Sequence, residues 1–211
     1  MKIKELFFPL RKPYRADYNN YGDNAEFYGS QPFFGIKAHN GIDALALNPQ
    51  SLAFVLNEFP VYASQDEKII KAERDKYGGW IVEGISLEKD FDENWISYFW
   101  KTTYYHLKEI KALVGQIVKA GDLIAIGDAS GWAPPERPLK PHLHYHIKVG
   151  DLDEKGEFIK AFPDNGYRGA VDPMPYMSKL TAYELRTSLI KISEAIELLG
   201  RRIMEFIKSR K

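Results

Sequence analysis

Gly115-Gln-Ile-Val-Lys-Ala-Gly121-Asp-Leu-Ile-Ala-Ile-Gly127 is the stretch whose reading decides the fold class. Glycines stand on either side of alternating residues, as expected for a hairpin whose turn needs positive φ. Working outward, residues 31–176 hold further short apolar runs separated by Gly, Pro, Asn and Asp. They are Phe54 to Leu56, Trp80 to Val82, Ile96 to Trp100, Leu123 to Ile126 and Leu143 to Val149. Runs of this length between turn residues predict strands, and the fold class is mainly β: an antiparallel β-sandwich or partly open barrel.

The period changes from 179 to 208. Leu185, Leu189, Ile192, Ile196, Leu199, Ile203 and Phe206 recur at steps of four and three, with Glu, Lys and Arg between them. That pattern predicts one long C-terminal amphipathic α-helix. Its heptads could form a coiled-coil seam joining two subunits as a homo-oligomer, although a helix of this length more often folds back on its own domain. At the other end, residues 1–30 are rich in aromatic and polar residues, among them Tyr14, Tyr18, Tyr21, Phe27 and Tyr28, with turn signals at Asn19, Asn20 and Gly22. They read as an irregular strap. The chain thus divides into a strap over 1–30, a β domain over 31–176 and a helical segment over 177–211.

A chain of 211 residues suits one sizeable domain with an appendage. Apolar residues at 45% and charged residues at 27% give the balance of an ordinary globular protein. The 29 basic and 29 acidic side chains cancel, which removes any overall electrostatic drive toward nucleic acid or an anionic membrane surface. The apolar patch near the start is interrupted by Pro9 and is too brief for a secretory segment or a membrane span, so no signal peptide and no transmembrane segment is readable. With no cysteine, any metal must be held by His, Asp or Glu.

All five histidines fall in three short clusters. In Ala38-His39-Asn40-Gly41-Ile42-Asp43, a His and an Asp four apart can converge on one ion if the chain turns at the glycine. In isolation the same stretch reads as a turn with a hydrogen-bonded Asp. His106, in Tyr104-Tyr105-His106-Leu107, reads alone as a structural residue. The cluster Pro141-His142-Leu143-His144-Tyr145-His146 is more informative, because alternation along a strand puts His142, His144 and His146 on one face and Leu143, Tyr145 and Ile147 on the other. A row of imidazoles points to metal binding or acid–base work rather than packing.

His39-x-x-x-Asp43, Tyr104-x-His106-Leu107 and His142-Leu143-His144, in that order, resemble the three signature motifs of the lysostaphin or LytM-type zinc endopeptidases, whose fold is the duplicated hybrid motif. The glycine-spaced stretch from Val114 to Gly127, Ser130-Gly131 and Val171-Asp172-Pro173 are similar to other parts of that family, so the resemblance spans about 31 to 176. It implies a single Zn2+ held by His39, Asp43 and His144, with an open fourth position for water or substrate carbonyl. It implies that His106 and His142 are the catalytic histidines that do not bind the metal. The substrate it implies is the peptide part of bacterial peptidoglycan, in stem or cross-bridge, with the cell wall as the place of action.

The chain departs from the family pattern in two places. Lys140-Pro141 stands where the family commonly has a Gly, at the end of a long proline-rich approach, Trp132 to Pro141, which predicts a stiff groove rim. His146 stands where members usually have a carboxylate. It could support a ligand, act as a cation near the groove or ligate the ion itself, and support of a ligand is the favoured reading. Tyr104 is assigned a similar supporting place.

Three other readings differ in class. A wall-binding module of the same fold would have lost ligands or catalytic histidines, and all five positions are present here. A biotinyl or lipoyl carrier, which Gln116 to Asp122 resembles, needs a modification lysine at a hairpin tip flanked by methionine or a small acidic motif, and no Met flanks a suitable lysine. The third is a zinc peptidase acting on a substrate outside the wall.

Overall fold

The strand Ser97–Ile110 organises the molecule. Its sequence, SYFWKTTYYHLKEI, is dense in the aromatic and β-branched residues that fit a pleated, half-buried surface. In the computed structural model, which describes residues 5–12, 14–15, 29–31, 36–91, 97–131, 139–161 and 169–208, this strand pairs antiparallel with Gly79–Ser86 on one side and Leu143–Leu152 on the other. The sheet runs in the order Ile117–Val118, Glu67–Asp75, Gly79–Ser86, Ser97–Ile110, Leu143–Leu152, Ile42–Asn48, Tyr14–Arg15. Leu123–Gly127 leaves this path to bridge the end of Ser97–Ile110 to Phe59–Tyr62. The sheet is antiparallel and does not close, in agreement with the mainly β, partly open arrangement expected from sequence.

The glycine-bounded stretch behaves differently from a self-paired hairpin. Ile117 and Val118 pair with Lys68 and Glu67, whereas Leu123–Gly127 pairs with two other strands. The turn between them is still tight, with Asp122 N donating to Lys119 O at 2.9 Å, and Gly115 and Gly121 adopt φ of 87° and 90°. A two-stranded ribbon is marginal in water, and each segment buries more by joining a neighbouring strand.

One face of the sheet packs the core, including Trp100, Tyr104, Leu143, Tyr145 and Ile147, against Phe59, Val61 and Ile69. Leu6, Phe8 and Leu10 also belong to that core, and Leu6–Phe8 pairs in parallel with Met177–Thr181. The beginning of the strap is therefore part of the folded domain, and the Phe8 ring stacks on Tyr14 at 4.0 Å between centroids. Tyr18, Tyr21, Phe27, Tyr28 and the expected turn at Asn19, Asn20 and Gly22 lie outside the described residues, as does the rim over 132–138.

The helix spans Ala182–Lys208, three residues shorter at its start than the apolar period suggests, because Lys179 to Thr181 complete the strand Met177–Thr181. Thr181-Ala-Tyr-Glu184 forms a capping box. Thr181 N donates to Glu184 Oε2 at 2.8 Å, and Glu184 N donates to Thr181 Oγ1 at 3.2 Å. The first turns dock on the body through the Tyr183 ring, 5.4 Å from that of Tyr62, and through Arg186 donating to Gly121 O at 3.2 Å. From Ser188 to Ile207 every residue is exposed, so the helix does not fold back on its domain. Among the described residues no helix is long and apolar enough to cross a membrane.

Candidate metal centre

The cluster is built by register. His144 lies directly opposite Asp43 on the neighbouring strand Ile42–Asn48 and opposite Tyr105 on Ser97–Ile110, and His146 lies opposite Thr103. Directly opposed residues share a sheet face. Asp43, His144 and Tyr105 therefore form one row, with His144 Nδ1 at 2.9 Å from Asp43 Oδ1 and the Tyr105 and His144 rings stacked at 5.4 Å and 19°. The alternation expected for His142, His144 and His146 holds, since Leu143, Tyr145 and Ile147 face the core.

Gly41 fixes the approach of the Asp43 strand. A Cβ there would stand 2.6 Å from Tyr145 O and 2.8 Å from His144 Nε2, so only glycine allows the turn between His39 and Asp43 to lie this close to the histidine strand. The backbone of His39 ends the strand Ile36–His39, and its side chain lies outside the described residues.

His106 reaches the cluster by breaking alternation. Its φ is +60°, the left-handed region that non-glycine residues occupy at a cost of about 1–3 kcal/mol. The pairing with Gly79–Ser86 shifts register between Tyr104 and Leu107. This bulge lets Tyr105 and His106, neighbours in sequence, both join the histidines. The His106 and His142 rings lie 4.5 Å apart, and Tyr105 packs edge-on to His146 at 5.4 Å. The conformation is held by His106 N donating to Gly78 O at 2.7 Å, Asp128 N donating to His106 O at 2.8 Å and His106 Nδ1 against Ser130 O at 2.7 Å.

Tyr104 does not join the cluster. It points to the opposite face, fully buried, where its hydroxyl donates to Glu67 Oε1 and accepts from Ser64 N, each at 3.0 Å. Tyr104 is opposite Tyr145 on the core face and Tyr105 opposite His144 on the site face, and the bulge then brings His106 to the side of Tyr105. A bulge leaves no signature in the sequence, so alternation alone would not have found Tyr105.

Carbonyl oxygens only accept, so Nδ1 of His106 must bear its proton toward Ser130 O, and Nδ1 of His142 must do the same toward Lys140 O at 2.6 Å. In the neutral rings Nε2 is then the proton acceptor on both. Burial above all, then the positive charge that His142 and His144 can carry, holds His106 well below the usual histidine range, so its ring is neutral at neutral pH.

Asp43 Oδ1 is shared. His144 Nδ1 lies at 2.9 Å and His142 Nε2 at 3.7 Å from it, with all three side chains buried. Two ligands of a tetrahedral zinc stand roughly 3.4 Å apart, so Asp43 Oδ1 and His144 Nδ1 fit such an ion with a small adjustment, and an oxygen and nitrogen donor set is what zinc takes when thiolates are absent. Among the described residues no group of three His, Asp or Glu is placed to hold one ion, and the third expected ligand, His39, is the one whose side chain is not described. His146 Nδ1 approaches the other edge of the His144 ring, 3.4 Å from Nε2. An open depression lined by Arg74, Asp75, Lys76, Gly79 and Gly131 borders His106, whose Nδ1 would stand 3.0 Å from a Cβ on Gly131.

Residues 37–158 match peptidase family M23. Two relatives are endopeptidases. The chain is 34% identical over 92 residues to the peptidoglycan DD-endopeptidase ShyB of Vibrio cholerae, covering 43% of this chain and 18% of that protein. It is 29% identical over 163 residues to the glycyl-glycine endopeptidase ALE-1 of Staphylococcus capitis, covering 75% of this chain and 34% of that protein. The chain thus spans about a third or less of the length of these relatives. Among solved structures, the catalytic domain of the prophage-encoded M23 protein EnpA from Enterococcus faecalis, a mutant form, is similar in fold, with TM-score 0.50 and 20% identity over 81% of this chain and 97% of that one.

Proposed function

The chain belongs to peptidase family M23, and from that premise we propose that it is a zinc metalloendopeptidase hydrolysing peptide bonds in bacterial peptidoglycan, acting at the cell wall. The observation that carries this reading is the convergence of Asp43, His106, His142 and His144 from three separate strands and a strand-flanking loop onto one buried patch.

Asp43 and His144, with His39, would hold the ion. Bound there, zinc supplies a Lewis acid that polarises the scissile carbonyl and lowers the pKa of water toward neutrality. The residues of the chain manage the protons. His106 and His142 each have Nδ1 committed to a backbone carbonyl, so each offers Nε2 as base. His106, held neutral, takes the proton of the attacking water at Nε2 and returns it to the leaving amine nitrogen. His142, whose Nε2 edge faces Asp43, lines the same patch beside the water's place of attack. Tyr105 orients the His144 ring by stacking on it, and His146 supports that ring from its Nε2 edge.

The test is digestion of purified peptidoglycan of several chemotypes by the zinc-loaded protein, with released fragments identified by mass spectrometry. New amino termini in the peptide part are expected from the native chain and not from Asp43→Ala, which should also lose zinc. His106→Ala and His142→Ala should keep zinc and lose on the order of a hundredfold to ten-thousandfold in turnover. Intact sacculi from a zinc-loaded native chain would overturn the reading.

A further inference from the structure

The exposed part of the helix presents a self-complementary seam. In Ser188 to Ile207 the core positions of the heptad are Leu189, Ile192, Ile196, Leu199, Ile203 and Phe206, and these side chains are 50% to 65% exposed. We propose that a second copy of this chain covers the seam, the two helices running antiparallel over residues 188–207 to form a homodimer.

The register follows from the sequence. Antiparallel pairing that opposes Ile196 to Leu199 of the second copy also opposes Ile192 to Ile203 and Leu189 to Phe206. A two-fold axis repeats each layer, as an isologous contact requires. The same alignment maps the exposed segment 188–207 onto itself, so the seam ends where the helix meets its own body.

Several observations favour a second copy over other occupants. Exposed aliphatic side chains contribute roughly 100 Å² each, so Leu189, Ile192, Ile196, Leu199 and Ile203 from two copies bury on the order of 1,000 Å², the size at which specific interfaces begin. Ser188, Ser193, Ala195 and Gly200, small and uncharged, border the seam together with Arg202 and Ile207, and in the antiparallel register Arg202 falls beside Ala195 of the second copy, so no like charges meet. The polar face balances Glu194, Glu197 and Glu205 against Lys191, Arg201 and Arg202, unlike the basic face of a helix that lies on anionic lipid. Antiparallel pairing also opposes the helix dipoles and sets the two catalytic bodies at opposite ends of the seam, whereas parallel pairing would crowd both against the docked turn at Tyr183 and Arg186.

Sedimentation equilibrium of the full chain should give twice the 24.3 kDa monomer mass. Ile196→Glu with Leu199→Glu should weaken self-association by about a hundredfold or more, since each dimer would bury unpaired carboxylates, with helical circular dichroism and zinc content unchanged. The chain has no cysteine, so a spin label at Ser188→Cys reads the orientation. Labels about 30 Å apart are expected for antiparallel helices, while labels within about 15 Å would overturn that arrangement. A native chain that stays monomeric at tens of micromolar, or that instead co-sediments with phosphatidylglycerol vesicles, would overturn the dimer.

Discussion

His106 is neutral in the native site because burial removes the water that would solvate its charge, and because His142 and His144 oppose a further positive charge. The unfolded chain has no such constraint and binds a proton at about pH 6.5. Its native pKa is depressed, so as pH falls below about 6.5 the unfolded state takes up a proton that the native ring does not, and stability falls until the native pKa is reached; well above pH 6.5 both states are neutral and the contribution of this ring is constant. Urea midpoints of the metal-free protein should therefore drop between pH 7.5 and pH 5.5, and His106→Gln should show a smaller drop. An equal drop in both proteins would place the proton uptake elsewhere. The same residue explains a failure of alternation. Tyr104 and His106 are two apart and would share a face in a regular strand, but Tyr104 lies opposite Tyr145 in the core, Tyr105 lies opposite His144, and the φ of +60° at His106 brings His106 to the Tyr105 face.

At the scale of elements, the site depends on how closely the turn at Gly41 approaches the strand Leu143–Leu152. Gly41→Ala would push a methyl against Tyr145 O and the His144 ring, a backbone contact that no rotamer relieves. The strand of Asp43 must then move away from His144. Zinc affinity should fall at least tenfold and stability by about 1–3 kcal/mol, measured by competition with a chelator and by thermal melting. Gly200→Ala is the control. It lies in the helix with nothing near its Cβ, so it should raise stability by up to about 1 kcal/mol and leave zinc affinity alone. If Gly41→Ala bound zinc like the native chain, the close approach would not be what aligns Asp43 with His144.

At the scale of the molecule, a buried polar chain ties the sheet together behind the site. With Tyr104 donating to Glu67, Ser64 Oγ can donate to Tyr104 at 3.0 Å and Tyr145 to Ser64 at 2.9 Å, while Thr102 also donates to Glu67. Tyr145 sits between His144 and His146, and Tyr104 two residues before His106, so the network anchors the backs of the strands whose fronts hold the histidines. Burial and the neighbouring Glu67 carboxylate raise the Tyr104 hydroxyl well above its ordinary range, which keeps it a donor. Tyr104→Phe leaves Glu67 and Ser64 short of a partner, and should cost about 1–3 kcal/mol in urea unfolding. Unchanged stability would mean that the network contributes nothing net.

The sequence by itself determined the mainly β class, the helix, the set of histidines and the shared face of His142, His144 and His146, because these follow from local periodicity and spacing. It also marked the family through motifs that residues 37–158 match. Only the tertiary structure decided which strands the glycine-bounded stretch would join, that Leu6, Phe8 and Leu10 complete the core, and that the helix leaves the body after its first turns. It also decided that Tyr105 rather than Tyr104 stands with the histidines. Strand partners and bulges are set by the area each segment can bury against distant residues, and no local pattern records that competition.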